Sequence, residues 1–116
     1  MRRRPMRTRK PVNPVNRERR SRLSEVQWGP DSFQRWLHGL ACVIPGCAAR
    51  DVEAAHAVSR GAGGTWRDIV PLCRDHHREQ HTAGLVTFEQ RYGIDLRAAA
   101  ATVQRRWREI GGEQAE

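Results

Sequence analysis

Residues 68 to 81 read Asp68-Ile-Val-Pro-Leu-Cys73-Arg-Asp-His76-His77-Arg-Glu-Gln-His81. Apolar residues and one proline run up to a cysteine, and every position after it is polar or charged. Ile69 to Leu72 predicts a short strand. Arg74 to about Thr82 predicts a polar helix stopped by Gly84. The change of structure therefore falls on Cys73, which puts that thiol at a strand end and His76 in the first turn of the helix. Upstream, Val52 to Val58 alternates weakly and reads as a partner strand, with Gly61-Ala-Gly-Gly64 in the loop between the two. Strand, loop, strand and helix in this order predict a small α+β unit.

Cysteine spacing adds a second constraint. Cys42, Cys47 and Cys73 are the three cysteines, an odd number that argues against a disulfide framework. Cys42-x4-Cys47 followed by Cys73-x2-His76 supplies four ligands in two knuckles, a set that tetrahedral zinc accepts. Pro45-Gly46 gives the first knuckle its tight turn. The competing reading, three buried thiols acting as small hydrophobes, leaves both spacings unexplained.

The histidines predict a second site. Adjacent residues on a helix point about 100° apart, so His76 and His77 cannot easily serve one ion. His77 and His81 are at i, i+4 and share a face, which makes them a ready metal pair. His56 falls on the first predicted strand and can face them if the hairpin packs on the helix. An imidazole whose second nitrogen is held by an acceptor is a good general base. Asp68, beside the returning strand, is a candidate for that acceptor. The plainer alternatives are a satisfied core histidine for His56 and a turn carboxylate for Asp68.

Flanking segments read as helices. Asp31 is a candidate N-cap for Ser32 to Leu40. Thr87-Phe-Glu-Gln90 fits a capping box that opens a helix through Tyr92. Asp95 caps a last helix to about Ile110, with Leu96, Ala100, Val103, Trp107 and Ile110 as one apolar stripe.

The 116 residues carry a formal charge of +8, and its location is informative. Residues 1 to 22 hold ten basic side chains (Arg2, Arg3, Arg4, Arg7, Arg9, Lys10, Arg17, Arg19, Arg20 and Arg22) against the single acid Glu18. The remainder holds 11 basic and 12 acidic residues. The start of the chain, with three prolines and no aromatic residue, predicts a disordered arm that neutralises phosphates without reading sequence; the plainer alternatives are a solubilising terminus or one that binds another protein. No apolar stretch approaches the roughly 20 residues of a membrane span. The basic start lacks a following apolar region, so no signal peptide and a cytoplasmic location are expected. The predicted organisation is an arm over 1–22, a helical segment over 23–41, a metal-bearing core over 42–92, and a C-terminal helix and tail over 93–116.

Taken together, Glu53-Ala-Ala-His56, Gly63-Gly64 and the 68–81 stretch resemble the HNH (ββα-metal) nucleases, most closely the small phage and prophage branch that includes recombination-enhancement nucleases. Glu79 to Gly84 strengthens that likeness. The resemblance covers about residues 42 to 92. It implies a ββα-metal core with zinc knuckles (Cys42, Cys47, Cys73, His76) and flanking helices. His56 matches the general base, Asp68 stands where the motif's Asn usually sits, His77 matches the final metal ligand, and His81 matches the extra ligand of colicin-type DNases.

There is one departure. Many members carry Asp or His immediately before the base, as a metal ligand, and here that residue is Ala55. Strand alternation turns Glu53 to the face opposite His56, which makes it a poor replacement. Either two protein ligands suffice, with water and phosphate completing the sphere, or His56 is itself a ligand. The implied activity is hydrolysis of DNA phosphodiester bonds with one catalytic divalent metal (Mg, Mn, Ni or Zn) beside a structural Zn, leaving 5′-phosphate and 3′-hydroxyl ends. Arg60, Arg67, Arg74 and Arg78 are candidate phosphate contacts, and the Gly61–Gly64 loop a candidate place for a phosphate to approach the backbone. The alternatives are a catalytically inactive zinc-stapled nucleic-acid-binding module and a scaffold protein that uses its basic arm.

Overall fold

In the computed structural model, which describes residues 22–114, a helical stretch over 22–28 leads into α1 (Asp31–Leu37). A hairpin follows, β1 (Val52–His56) and β2 (Ile69–Cys73), and then α2 (Arg74–Ala83), α3 (Leu85–Tyr92) and α4 (Leu96–Glu109). The fold is the expected small α+β one, a two-stranded antiparallel sheet with a helix directly after it and further helices around it. Register runs from Val52 opposite Cys73 to His56 opposite Ile69.

All five residues of β2 are buried. Pro71 is tolerated at its centre because of where its backbone points. The Pro71 carbonyl accepts from the Val43 amide at 2.9 Å, so its missing N–H lies on the same outer edge and the ladder to β1 stays whole. The hairpin feeds two apolar clusters. Val52, Ala55, Val70 and Leu72 pack with Ile44, Phe88 and Leu96, while Ile69 packs with Phe33, Leu37, Trp66, Val103 and Trp107. In the second cluster the rings of Trp66 and Trp107 stand edge-on to Phe33, the arrangement aromatic quadrupoles favour.

Two 3-10 turns, Arg60–Ala62 and Trp66–Asp68, fold the loop between the strands. A Cβ on Gly64 would lie 2.0 Å from the Val58 carbonyl oxygen. That glycine therefore serves the loop's own close packing, which accounts for part of the glycine run without a phosphate.

Several boundaries differ from the sequence reading. β1 ends at His56; one further in-register bond, from the Ala57 amide to the Asp68 carbonyl at 2.6 Å, follows before the loop leaves the ladder. The first-helix cap is Pro30; Asp31 lies within α1 and makes no side-chain cap bond. α3 starts at Leu85, so Thr87 is an internal residue and the capping box does not form. Asp95 does cap α4, accepting from the Ala98 amide at 3.1 Å. Ile110 falls outside the buried stripe and is 61% exposed. The helical stretch over 22–28 lies in the segment expected to be helical, but no separate helix is predicted there, and its Leu23 and Val26 are exposed. Of the basic arm, residues 1–21 lie outside the described residues, and Arg22 opens the helical stretch.

Candidate functional site

The Cys42–Cys47 knuckle is built on a tight turn. The Cys47 amide donates to the Ile44 carbonyl at 3.0 Å, and Gly46 sits at φ +81°. Proline then glycine in the middle of that turn is the combination a type II geometry requires. The Val43–Pro71 bond pins the knuckle to β2, where Cys73 ends the strand and His76 follows within the first turn of α2. Four ligand atoms thereby gather within 4.8 Å of one another: the sulfurs of Cys42, Cys47 and Cys73 and a ring nitrogen of His76.

His76 Nδ1 lies 3.2 Å from Cys73 Sγ and 3.6 Å from Cys42 Sγ. A tetrahedral zinc would set such atoms about 3.5 Å apart, so the donors fit that ion. Burial pushes the Cys42 thiol up to about 11, while the Ala49 backbone amide lowers Cys47. Tyr92 of α3 stands edge-on to the His76 ring at 5.2 Å and donates its hydroxyl to Glu79, which also pairs with Arg91. The last turn of α3 thus braces α2 against the knuckle.

On the other side of α2 is a cleft of about 550 Å³, lined by Trp28, His56, Arg60, His77, Gln80 and His81 among others. His77 and His81 share a helix face as their spacing requires, with Nε2 atoms 3.1 Å apart. His56, the last residue of β1, is tied to the helix from behind: buried Gln80 donates to its carbonyl at 3.1 Å. All three sequence-predicted histidines therefore border one cavity.

One assignment is corrected. Asp68 does not hold His56; its carboxylate accepts from the Thr65 amide at 2.9 Å and caps the 3-10 turn that enters β2. The acceptor beside His56 Nε2 is the carbonyl of Gln27, at 2.8 Å. The Trp28 ring stands edge-on to the imidazole at 4.7 Å. Burial is the main influence on His56 and lowers its pKa below the usual 6.5.

Glu53 makes a contact that strand alternation does not reveal. It does face away from His56, but so does Ala55, and the two share a strand face. Ala55 is buried in the first apolar cluster, whereas the longer Glu53 side chain reaches His77 Nδ1 at 2.9 Å. Of the four candidate arginines, Arg60 lines the cleft, with its guanidinium 5.8 Å from the Trp28 ring centre. Arg67 instead lies over Trp66 at 4.8 Å.

Sequence reasoning missed Gln27, Trp28 and Gln80. Only Trp28 gave a signal, an aromatic residue at the end of a polar segment directly before Gly29-Pro30. That glycine, at φ +77°, leaves no room for a Cβ against the Trp66 ring, which seats the helical stretch over 22–28 beside the hairpin. Among the described residues, no helix is long and apolar enough to cross a membrane.

A family model described as "Protein of unknown function (DUF968)" matches residues 18–111. The "Uncharacterized protein YdfU" of Escherichia coli (strain K12) is 35% identical over 75 residues, covering 60% of this chain and 21% of that protein. The chain therefore spans about a fifth of the length of this curated relative. No solved structure matches it.

Proposed function

The chain belongs to the DUF968 family, and from that premise we propose that it is a metal-dependent endonuclease of the HNH type that hydrolyses DNA phosphodiester bonds. The observation that carries this reading is the single cleft bordered by His56, His77 and His81, on the helix whose first turn contributes to a Cys3His cluster. That cluster fits a structural zinc, which would fix the hairpin–helix junction and with it the spacing of the three histidines.

His77 and His81 are the residues to hold a catalytic divalent ion (Mg, Mn, Ni or Zn). Bound there, such an ion supplies Lewis-acid stabilisation of charge on the scissile phosphate. His56 is the general base. A carbonyl can only accept, so the Gln27 contact makes Nε2 the protonated nitrogen and leaves the lone pair on Nδ1. Burial favours the neutral ring, which is the form that takes a proton from water. Among the described residues, the set with ligand atoms gathered within 4.8 Å is the Cys3His one, and His56 does not complete such a set with His77 and His81. This favours base over ligand for His56. Arg60 at the rim adds positive charge for a phosphate. The arm over 1–22 would grip DNA non-specifically, and three free cysteines as ligands suit a bacterial or phage-infected cytoplasm.

A second reading, a zinc-stapled nucleic-acid-binding module without catalysis, is favoured by Ala55, which offers no ligand. Plasmid nicking with Mg, Mn, Ni and Zn separates the two. The enzyme nicks with at least one ion, and both His56→Ala and His77→Ala abolish it. Retained DNA binding with no cleavage under any metal supports the module.

A further inference from the structure

Glu53 and His77 make the contact that the site reading above leaves unused. They lie on different elements, β1 and α2, and are 24 positions apart in sequence, yet Glu53 Oε1 is 2.9 Å from His77 Nδ1. A carboxylate accepts and does not donate, so the hydrogen on this contact belongs to Nδ1 of the imidazole. The neutral ring then carries its lone pair on Nε2, and that nitrogen faces Nε2 of His81 at 3.1 Å. Two nitrogens on one tetrahedral ion at metal–nitrogen distances near 2.0 Å would stand about 3.3 Å apart. The His77–His81 spacing is already close to that of a ligand pair. The oxygen that touches His77 does so on the far side of the ring from this pair.

We propose that Glu53 is a positioning residue for metal binding at His77 and His81: it fixes the His77 tautomer and turns Nε2 toward His81. The inference rests on the reading of these two histidines as a metal pair; Glu53 adds no ligand in place of Ala55 but orients one of the two present. Many members of the resembling family use the residue before the base as a direct ligand, whereas here a strand residue holds the ring behind the ligand. Carboxylates in that outer position raise ligand basicity and fix ring orientation, and their loss typically weakens binding about ten- to a hundredfold. Glu53 is half exposed, so its truncation leaves the core intact.

The test uses the full chain with its Cys3His cluster loaded with one zinc, titrated with Ni(II) by calorimetry, alongside long-range proton–nitrogen spectra of the histidines before nickel is added. In the wild type, His77 is expected to be protonated on Nδ1. Glu53→Ala is expected to bind nickel about ten- to a hundredfold more weakly, to keep one equivalent of zinc and its melting temperature, and to show His77 as a mixture of tautomers. Glu53→Gln keeps an acceptor oxygen and should recover part of both effects. Wild-type nickel affinity in Glu53→Ala, or a wild-type His77 protonated on Nε2, overturns the inference. A wild type with no nickel site at all, or one unaffected by His77→Ala, overturns the metal pair and the inference together. A Glu53-dependent nickel site on a protein that never nicks DNA leaves the inference standing and removes the nuclease reading.

Discussion

The Nε2 nitrogen of His56 lies 2.8 Å from the carbonyl oxygen of Gln27, across the junction of β1 and the helical stretch over 22–28. The contact joins a segment with little core of its own to the end of the hairpin, and it selects which imidazole nitrogen remains basic. Trp28 closes the side of the same ring. The segment before the hairpin is thus part of the histidine's environment, although it lies outside the 42–92 stretch that carries the family resemblance.

His56 should titrate below 6.5. Burial disfavours the charged ring more than the Gln27 carbonyl favours it. A carbon-detected titration of the histidines in the zinc-loaded protein measures this, and a midpoint at or above 6.5 contradicts it. The sign for stability follows from proton uptake. The unfolded chain binds the proton more readily, so the contribution of neutral His56 is present above pH 6.5 and is lost as pH falls from there through the folded value. If His56 is the base proposed above, nicking should fall over the same acidic window as the imidazole becomes protonated.

Gln80→Leu should lower both stability and nicking while leaving the zinc content unchanged. The amide is buried and donates to the His56 carbonyl at 3.1 Å. Replacing it leaves that carbonyl without its donor in a partly buried place, a loss of about 1–3 kcal/mol. Denaturant melts, the plasmid nicking assay and metal analysis of the variant check the three parts of the expectation.

Cys73→Ala should unfold the domain rather than merely inactivate it. The thiol joins the end of β2 to the knuckle, and a site of this kind couples metal binding to folding. Zinc affinity should also rise with pH. Burial pushes the Cys42 thiol up to about 11, so ligation near neutrality has to expel a proton. Competition with a chromogenic chelator at several pH values measures the slope. A cooperative melt of Cys73→Ala at the wild-type temperature contradicts the structural-zinc assignment.

The hairpin, the knuckles and the i, i+4 histidine pair were legible in the sequence because each is a local pattern: apolar runs, fixed Cys and His spacings, one helix face. What escaped was set by contacts between distant elements. The Gln27–His56 and Glu53–His77 contacts join residues 29 and 24 positions apart. Strand alternation gave the direction of Glu53 correctly, but the reach of its side chain to α2 depended on how the helix crosses the hairpin. Asp68 was misassigned for the opposite reason: a strictly local bond to Thr65 three residues earlier took its carboxylate.

Gly64→Ala should destabilise the domain. A Cβ there would meet the Val58 carbonyl oxygen at 2.0 Å, and this contact is with backbone, which cannot swing aside. The 3-10 turn at Arg60–Ala62 would have to open, at a cost of the order of 1–3 kcal/mol typical of overpacking. Gly61→Ala is the control, since a Cβ there meets nothing within 4 Å. Equal melting temperatures for the two variants would contradict the packing role.

Deleting residues 1 to 22 should weaken DNA affinity and flatten its salt dependence without touching the Cys3His cluster or the proposed metal pair at His77 and His81. The deletion removes ten of the 21 Lys and Arg residues and a single acid, leaving a remainder with 11 basic and 12 acidic side chains. Each phosphate neutralised by such a residue releases a counterion. On duplex DNA the slope of log affinity against log salt should therefore fall by roughly 0.9 for every phosphate that the arm no longer neutralises. The Cys3His residues and the cleft histidines all lie beyond residue 41. Zinc stoichiometry should therefore stay at the full-length value, and the metal requirement for nicking should persist at low salt. An unchanged salt slope would assign DNA gripping to the folded part, where Arg60 at the cleft rim is the first side chain to replace.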